Sequence, residues 1–333
     1  LTVAYRESKA NYSGIKPDIY EIIDLETVER DLYNILSDSK GCVREMCSHI
    51  MSAGGKRIRP LLVMCCGLVF SPQSPELVHA ASAAELIHMA SLVHDDIIDE
   101  SCMRRSRPSI NKLWGNHFAV LCGDYLFAKA FGILAQDRLL KSMSYMVEAV
   151  QSMCRGEISQ AHDRHSTRVN MKRYYERISE KTAIFLKCCC MSGAAAAGAD
   201  IRSLEAVGEY GLNLGLAFQI VDDILDFCGN ADIMGKPKGE DLCQGNITIP
   251  IVLLQKNHKY AEWINGVIQG RAYPENVMDE VLKALEDSGA IADSFRAAGR
   301  HISKAKTSLK ALPASKYTEL LFRLTDIVKS RIK

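Results

Sequence analysis

Two aspartate clusters stand out in the chain, Asp95-Asp96-Ile97-Ile98-Asp99 and Asp222-Asp223-Ile224-Leu225-Asp226. On a helix, the first and last aspartates of each cluster lie one turn apart on one face, with the middle one beside them. Like charges at that spacing repel, and the negative end of a helix adds to the cost where a cluster sits at a C-terminus. A bound cation offsets both. Carboxylates without His or Cys select a hard cation, and Mg²⁺ takes a few of them together with phosphate oxygens and water. One such cluster is as often a solvated acidic helix end. Two of them, each following an apolar helical run, point to metal-assisted phosphate chemistry.

Basic residues accompany the aspartates. Gly54-Gly55-Lys56-Arg57-Ile58-Arg59-Pro60 sets three cations at a glycine-rich helix junction, where backbone and helix N-terminus can approach an anion. Arg104-Arg105 and Arg107 follow the first cluster, and arginine forks match phosphate oxygens in pairs. Either basic group alone reads as a solvated loop. Together with the aspartates they suit two diphosphates, one bridged by metal and one held by side-chain cations.

The elements that must carry these residues read as helices throughout, with strand signals nearly absent. Asp24 caps a helix running to Gly54-Gly55, Pro60 opens a second, and Ser74-Pro75-Glu76 starts a third that reaches Asp99. Arg104–Pro108 breaks the pattern. Further helices are predicted over Asn116–Gln136, Ser142–His162, Met171–Ala197, Ser203–Phe227, Val277–Ser288, Ala290–Ala311 and Tyr317–Ile332, with loops at Gly229-Asn230, Gly235–Gly239 and Ala272–Pro274. No linker or composition shift divides the chain. The expectation is one all-α domain over residues 1–333, with an N-terminal extension over about residues 1–23.

Bulk properties narrow the class. The 333 residues carry a net charge of +1, 47% hydrophobic and 24% charged residues, which gives no push toward nucleic acid or an anionic membrane. The 12 cysteines contain no C-x-x-C pair and read as reduced, core-packing thiols of a cytoplasmic protein. Charges interrupt the first apolar residues, so no secretory signal is expected, and no uncharged window approaches a membrane span. Glu76-x-x-His79 and Glu85-x-x-His88 resemble halves of a di-iron site, but both fall on one predicted helix over two turns apart, so they cannot share a metal pair.

Gly54–Pro60, Ser91–Asp99 with Arg104-Arg105, Trp114–His117, Gly123–Tyr125, Lys181-Thr182 and Gln219–Asp226 resemble the all-trans isoprenyl diphosphate synthases, a likeness running from about residue 24 to the C-terminus. Within that family the chain looks most like bacterial long-chain (heptaprenyl and octaprenyl type) enzymes. The resemblance implies an all-α isoprenoid-synthase bundle around a central apolar cavity. It implies that Asp95, Asp96, Asp99, Asp222, Asp223 and Asp226 ligate up to three Mg²⁺ on the allylic diphosphate. Arg104, Lys181 and Lys236 would contact that diphosphate. Lys56, Arg59, His88 and Arg105 would hold isopentenyl diphosphate, and Thr182 and Gln219 would line the reacting centre. One position departs from the pattern: Asn246 stands where the family often has lysine.

The implied reaction is ionisation, condensation and elimination, with a carbocation sheltered from water. Ala90 and Ser91, just before the first cluster, and Ile87 deeper on the same helix are not bulky aromatics, so a tunnel along that helix stays open to a product of roughly C30–C50, as for a quinone side chain. The alternatives are a short-chain synthase, a class I terpene cyclase, and a subunit inactive without a partner. A homodimer is implied by the family, and a heterodimer with a small dissimilar subunit by some of its long-chain members.

Overall fold

A computed structural model describes residues 22–72, 74–229, 238–270 and 275–331. Among the described residues, the first helix, α1 (Leu25–Ser37), begins as expected: the Asp24 carboxylate accepts the Thr27 amide at 3.2 Å, and Val28, Leu32 and Leu36 bury one stripe. It does not continue to Gly54. The chain turns at residues 38–40, where the buried Ser39 hydroxyl pairs with the Tyr125 hydroxyl at 2.8 Å, and Gly41 (φ +56°) opens α2 (Gly41–Ser52). That distant hydroxyl partner carries no local signal.

Next come α3 (Ile58–Leu68) and α4 (Glu76–Ile98). Ala80, Ala81, Ala83, Ala84 and Ala90 on α4 are fully buried, and such small side chains let neighbouring helices pack close. The predicted break at Arg104–Pro108 is a hairpin: β1 (Met103–Arg104) pairs antiparallel with β2 (Arg107–Pro108), and Arg105 (φ 51°) and Ser106 (φ 62°) make its two-residue turn. Two-residue strands are too short for alternation to register. Then follow α5 (Ile110–Trp114) and α6 (Asn116–Leu134), the latter packed along α4.

Among the described residues the remaining helices are α7 (Leu140–His162), α8 (Met171–Ile178), α9 (Ile184–Ala196), α10 (Ile201–Cys228), α11 (Glu240–Cys243), α12 (Ile249–Leu254), α13 (Ala261–Gln269), α14 (Glu275–Asp287), α15 (Ala290–Leu309) and α16 (Lys316–Ser330). The longer ones match the sequence reading within a few residues, whereas α5, α11, α12 and α13 are too short for a helical period to show. The fold is all-α.

The chain divides into two compact units, one of residues 1–147, 188–207 and 312–321, the other of residues 148–187, 208–311 and 322–333. The first cluster belongs to the first unit and the second cluster to the second.

One further expectation, that of core-packing thiols, needs amending, and that of no uncharged membrane-length window stands. Seven cysteines are buried, but Cys42, Cys102, Cys154, Cys228 and Cys243 are exposed, so only part of the thiol set packs in a core. And α6 is long and apolar enough by length and composition to cross a membrane, with 33% of its most apolar window buried. Asp124 and Lys129 are what kept that stretch from reading as an uncharged span.

Candidate active site

In the first unit, the last turn of α4 presents the first cluster and the hairpin turns Arg104 back onto it. Arg104 Nε lies 2.8 Å from both Asp96 oxygens and Nη2 lies 2.6 Å from Oδ1, while Asp96 is 4% exposed. Asn111 adds bonds to the Asp96 and Ser101 carbonyls, both 3.1 Å. The middle aspartate is thus already committed to holding an arginine.

Arg57, in the left-handed region (φ 48°), is buried between Glu29 (2.5 and 3.2 Å) and Glu85 (2.7 Å). Burial opposes its charge, but Glu85 and Glu29 more than compensate and hold it above the usual guanidinium range. Sequence reasoning gave Arg57 no individual role. Both partners are 28 residues away, which hides the pairing. This buried pair leaves its neighbours Lys56, exposed, and Arg59 on a fixed turn.

His88 is half-buried, and its buried Nδ1 has no hydrogen-bond partner. Burial, followed by the charges of Arg59 and Arg105, pushes its pKa well below the ordinary histidine value, so it is neutral at pH 7. Arg105 donates to the Gly54 carbonyl, and a Cβ on Gly55 would lie 2.5 Å from its Nη1. A side chain there would displace the Arg105 guanidinium rather than the backbone. Gly54, Arg57, Glu85, His88, Arg104 and Arg105 line one cleft. The structure therefore gathers His88, Arg104 and Arg105 in one cleft, with Arg59 within electrostatic reach of His88 and Asp95.

In the second unit, α10 carries the second cluster. Asp223 is 4% exposed, accepting from Tyr174 Oη at 2.7 Å and from Gln219 Nε2 at 2.9 Å. Thr182 Oγ1 in turn donates to Gln219 Oε1 at 2.8 Å. Asp222 Oδ1 lies 2.7 Å from Arg331, and Asp226 Oδ2 accepts the Asp241 amide at 3.3 Å. Lys181 pairs with Glu157 at 2.7 Å and donates to Gln160 at 3.2 Å. Between α8 and α9 the helix widens into one π-turn (Ser179–Ala183), in which the Ile184 amide donates to the Ser179 carbonyl. Lys181 and Thr182 sit on that turn, where the sequence predicted uninterrupted helix; π-turns recur at functional sites.

Tyr174, Glu157 and Gln160 were missed, since only the long-range fold brings Tyr174 to Asp223 and the other two to Lys181; Asp241, which opens the motif from which Asn246 departs, has no role of its own in the sequence reading. Lys236 lies outside the described residues. Asn246 is 7% exposed and shares a cleft with Lys181, Gln219, Asp223 and Asp241. No cation stands at position 246, and Asp223 is raised to about 7 by burial, then by the charge of Asp241. The folded protein therefore keeps a proton that the unfolded chain releases near pH 4, and this stability is present in acid and lost as pH rises through 7. Between pH 5 and pH 8 the metal-free wild type is expected to lose several degrees of Tm relative to Asp223→Asn. Parallel pH dependences in scanning calorimetry would remove this assignment.

Among the described residues, no three His, Cys, Asp or Glu side chains converge as a preformed metal cage. The donor set still fits Mg²⁺, which binds through one or two carboxylates and completes its shell with substrate phosphates and water. Asp95 with Asp99, and Asp222 with Asp226, each provide two carboxylates one turn apart.

Comparison with known proteins decides the family. Residues 40–285 match the family model for polyprenyl synthetase. The chain belongs to the polyprenyl synthetase family. It is 37% identical over 323 residues, 97% of this chain and 98% of the relative, to heptaprenyl diphosphate synthase component 2 of Geobacillus stearothermophilus. It is also 32% identical to a short chain isoprenyl diphosphate synthase of Methanothermobacter thermautotrophicus, over 85% of this chain and 88% of that one. A crystal structure of a decaprenyl diphosphate synthase from Rhodobacter capsulatus superposes with a TM-score of 0.89 at 29% identity, covering 95% of this chain and 99% of the other. This polyprenyl synthetase has the all-α isoprenoid synthase fold of its structural relatives and is a prenyltransferase, a trans-prenyl diphosphate synthase with long-chain homologues.

Proposed function

We propose that this polyprenyl synthetase joins isopentenyl diphosphate to an allylic diphosphate repeatedly, giving a long-chain product of roughly C30–C50 along the α4 helix. The observation that carries the reading is the division of charge at α4. Asp95 and Asp99 stand at the end of α4 beside a cleft lined by His88, Arg104 and Arg105, with Arg59 within electrostatic reach of His88 and the buried His88 Nδ1 lacking a protein partner. One diphosphate suits metal and carboxylate, the other suits guanidinium and imidazole.

In this reading both aspartate clusters and Lys181 serve the allylic diphosphate. Mg²⁺, when bound, supplies positive charge to the departing diphosphate oxygens. Arg104, oriented by Asp96, and Lys181, oriented by Glu157 and Gln160, add donors as the allylic C–O bond breaks and its electron pair goes to the diphosphate. The double bond of isopentenyl diphosphate, held by Lys56, Arg59, His88 and Arg105, then forms the new C–C bond. The proton lost from the adjoining carbon passes to the released diphosphate. Thr182 and Gln219 present a bonded pair of dipoles rather than a base. Lys236 completes the allylic contacts expected from the family motif.

The whole chain acts as one catalytic domain and as a homodimer, whose second copy covers exposed Leu113, Phe118 and Leu121 on α5 and α6. The name of the Geobacillus relative, a component 2, makes a small second subunit the one further partner to test. Purified chain is incubated with Mg²⁺, farnesyl diphosphate and radiolabelled isopentenyl diphosphate, and products are sized. Long prenyl diphosphates are expected only when both substrates are present. Cyclic hydrocarbon from farnesyl diphosphate alone would overturn the reading in favour of a cyclase.

A further inference from the structure

We propose that Gly156 on α7 and Gly215 on α10 are positioning residues for prenyl transfer, forming a two-sided notch that fixes the π-turn bearing Lys181 and Thr182. The inference rests on the functional reading above. Its basis is contact between backbones. A Cβ on Gly156 would lie 2.7 Å from the Lys181 amide nitrogen and 3.0 Å from Lys181 Cα. A Cβ on Gly215 would lie 2.5 Å from Ala183 Cα and 3.0 Å from its Cβ. Neither obstacle is the far end of a flexible side chain, so an alanine at either site must push the turn itself.

The same helix faces also hold the side chains of the turn. One helical turn beyond Gly156 is Gln160, which with Glu157 takes the Lys181 ammonium at 3.2 and 2.7 Å. One turn beyond Gly215 is Gln219, which receives the Thr182 hydroxyl at 2.8 Å and passes a bond to Asp223 at 2.9 Å. Each helix therefore sets both how near the turn may come and where its functional group points. A π-turn is rare and occurs as a single turn inside an α-helix, so it persists where the surroundings hold it. Pushed away by either helix, Lys181 and Thr182 lose their registration with these partners together. Close backbone approach is not general to helical glycines: a Cβ on Gly299 of α15 meets nothing within 4 Å, and the one on Gly193 of α9 would meet the Val63 backbone, away from the π-turn.

The test compares Gly156→Ala, Gly215→Ala and the control Gly299→Ala in the full chain. Displacements near 1 Å at a reacting group cost up to about 100-fold in rate. Both notch variants are expected to lose at least about 10-fold in kcat, with KM for isopentenyl diphosphate within about twofold of wild type, because its cationic cleft is untouched. Hydrogen exchange over residues 176–186 is expected to speed up while the other helices keep their protection. Gly299→Ala should match wild type in both. Wild-type kcat and wild-type exchange in the two notch variants would overturn the proposal. So would a uniform rise in exchange with unchanged kcat per folded molecule, which marks general destabilisation. A wild-type chain that makes cyclic hydrocarbon from farnesyl diphosphate alone defeats the functional reading instead, and local exchange at the turn still reports on the notch.

Discussion

Asp95→Asn is expected to lower kcat/KM for prenyl transfer by roughly 10³-fold, about 4 kcal/mol of transition-state stabilisation, and to raise the Mg²⁺ concentration for half-maximal activity. Asp96→Asn, one residue away, should behave differently. Asp96 is buried against Arg104 with three N–O distances of 2.6 to 2.8 Å, so it acts by aiming a diphosphate donor. Losses from such supporting groups are typically about 10–100-fold. They should appear chiefly as a higher KM for the allylic substrate, with little change in Mg²⁺ demand. Stability reverses the order. Asp96→Asn leaves Arg104 without its carboxylate and should lower Tm, tempered because the Arg104 side chain is 34% exposed. Mg²⁺-titrated initial rates and calorimetry on both variants separate the roles. Equal losses of Mg²⁺ affinity in the two would make Asp96 a metal ligand as well, as the motif alone implies. The same contrast is expected between Asp222 and Asp223, whose carboxylate is held by Tyr174 and Gln219.

The second large effect concerns what the enzyme makes. Ala90→Phe is expected to shorten the principal product from a long polyprenyl chain to about C15–C20, since an aromatic ring fills more than a helical turn, ~5.4 Å, of any channel along α4. Ala90 and Ile87 are fully buried, and Ser91 turns its hydroxyl to the His88 carbonyl at 2.9 Å, leaving an apolar surface. The competing account is that Ala90 merely lets helices pack closely, in which case phenylalanine overpacks the site at a cost of about 1–3 kcal/mol. The two accounts differ in observables. Shorter product at near-normal initial turnover supports the channel. Unchanged product length with a lower Tm places Ala90 in ordinary packing and removes it from chain-length control. Ser91→Phe, one residue on, provides the independent second reading of the same wall.

These contrasts trace what was legible from the chain. Clusters such as Asp95–Asp99 are readable because helical spacing is a local property: residues four apart share a face wherever the helix goes. The same holds for the Asp24 cap, for the long amphipathic helices and for the glycines beside Lys56 and Arg59. From such local terms the all-α class, the diphosphate chemistry and the cationic residues all follow. Asn246 was also visible as a departure, although its burial beside Asp223 and Asp241 was not.

What remained hidden depends on distance along the chain. Arg57 finds Glu29 and Glu85, each 28 residues away, and Tyr174 finds Asp223 across 49. No spacing rule connects such pairs, because their meeting is set by helix packing. The break at Ser39, the hairpin that returns Arg104 to Asp96, and the π-turn between Gly156 and Gly215 are of the same kind. The amino-acid sequence by itself determined which charges the protein brings to its substrates. Only the tertiary structure decided which carboxylates are committed to neighbouring side chains, because a buried polar group must find its partner wherever the packed backbone puts one.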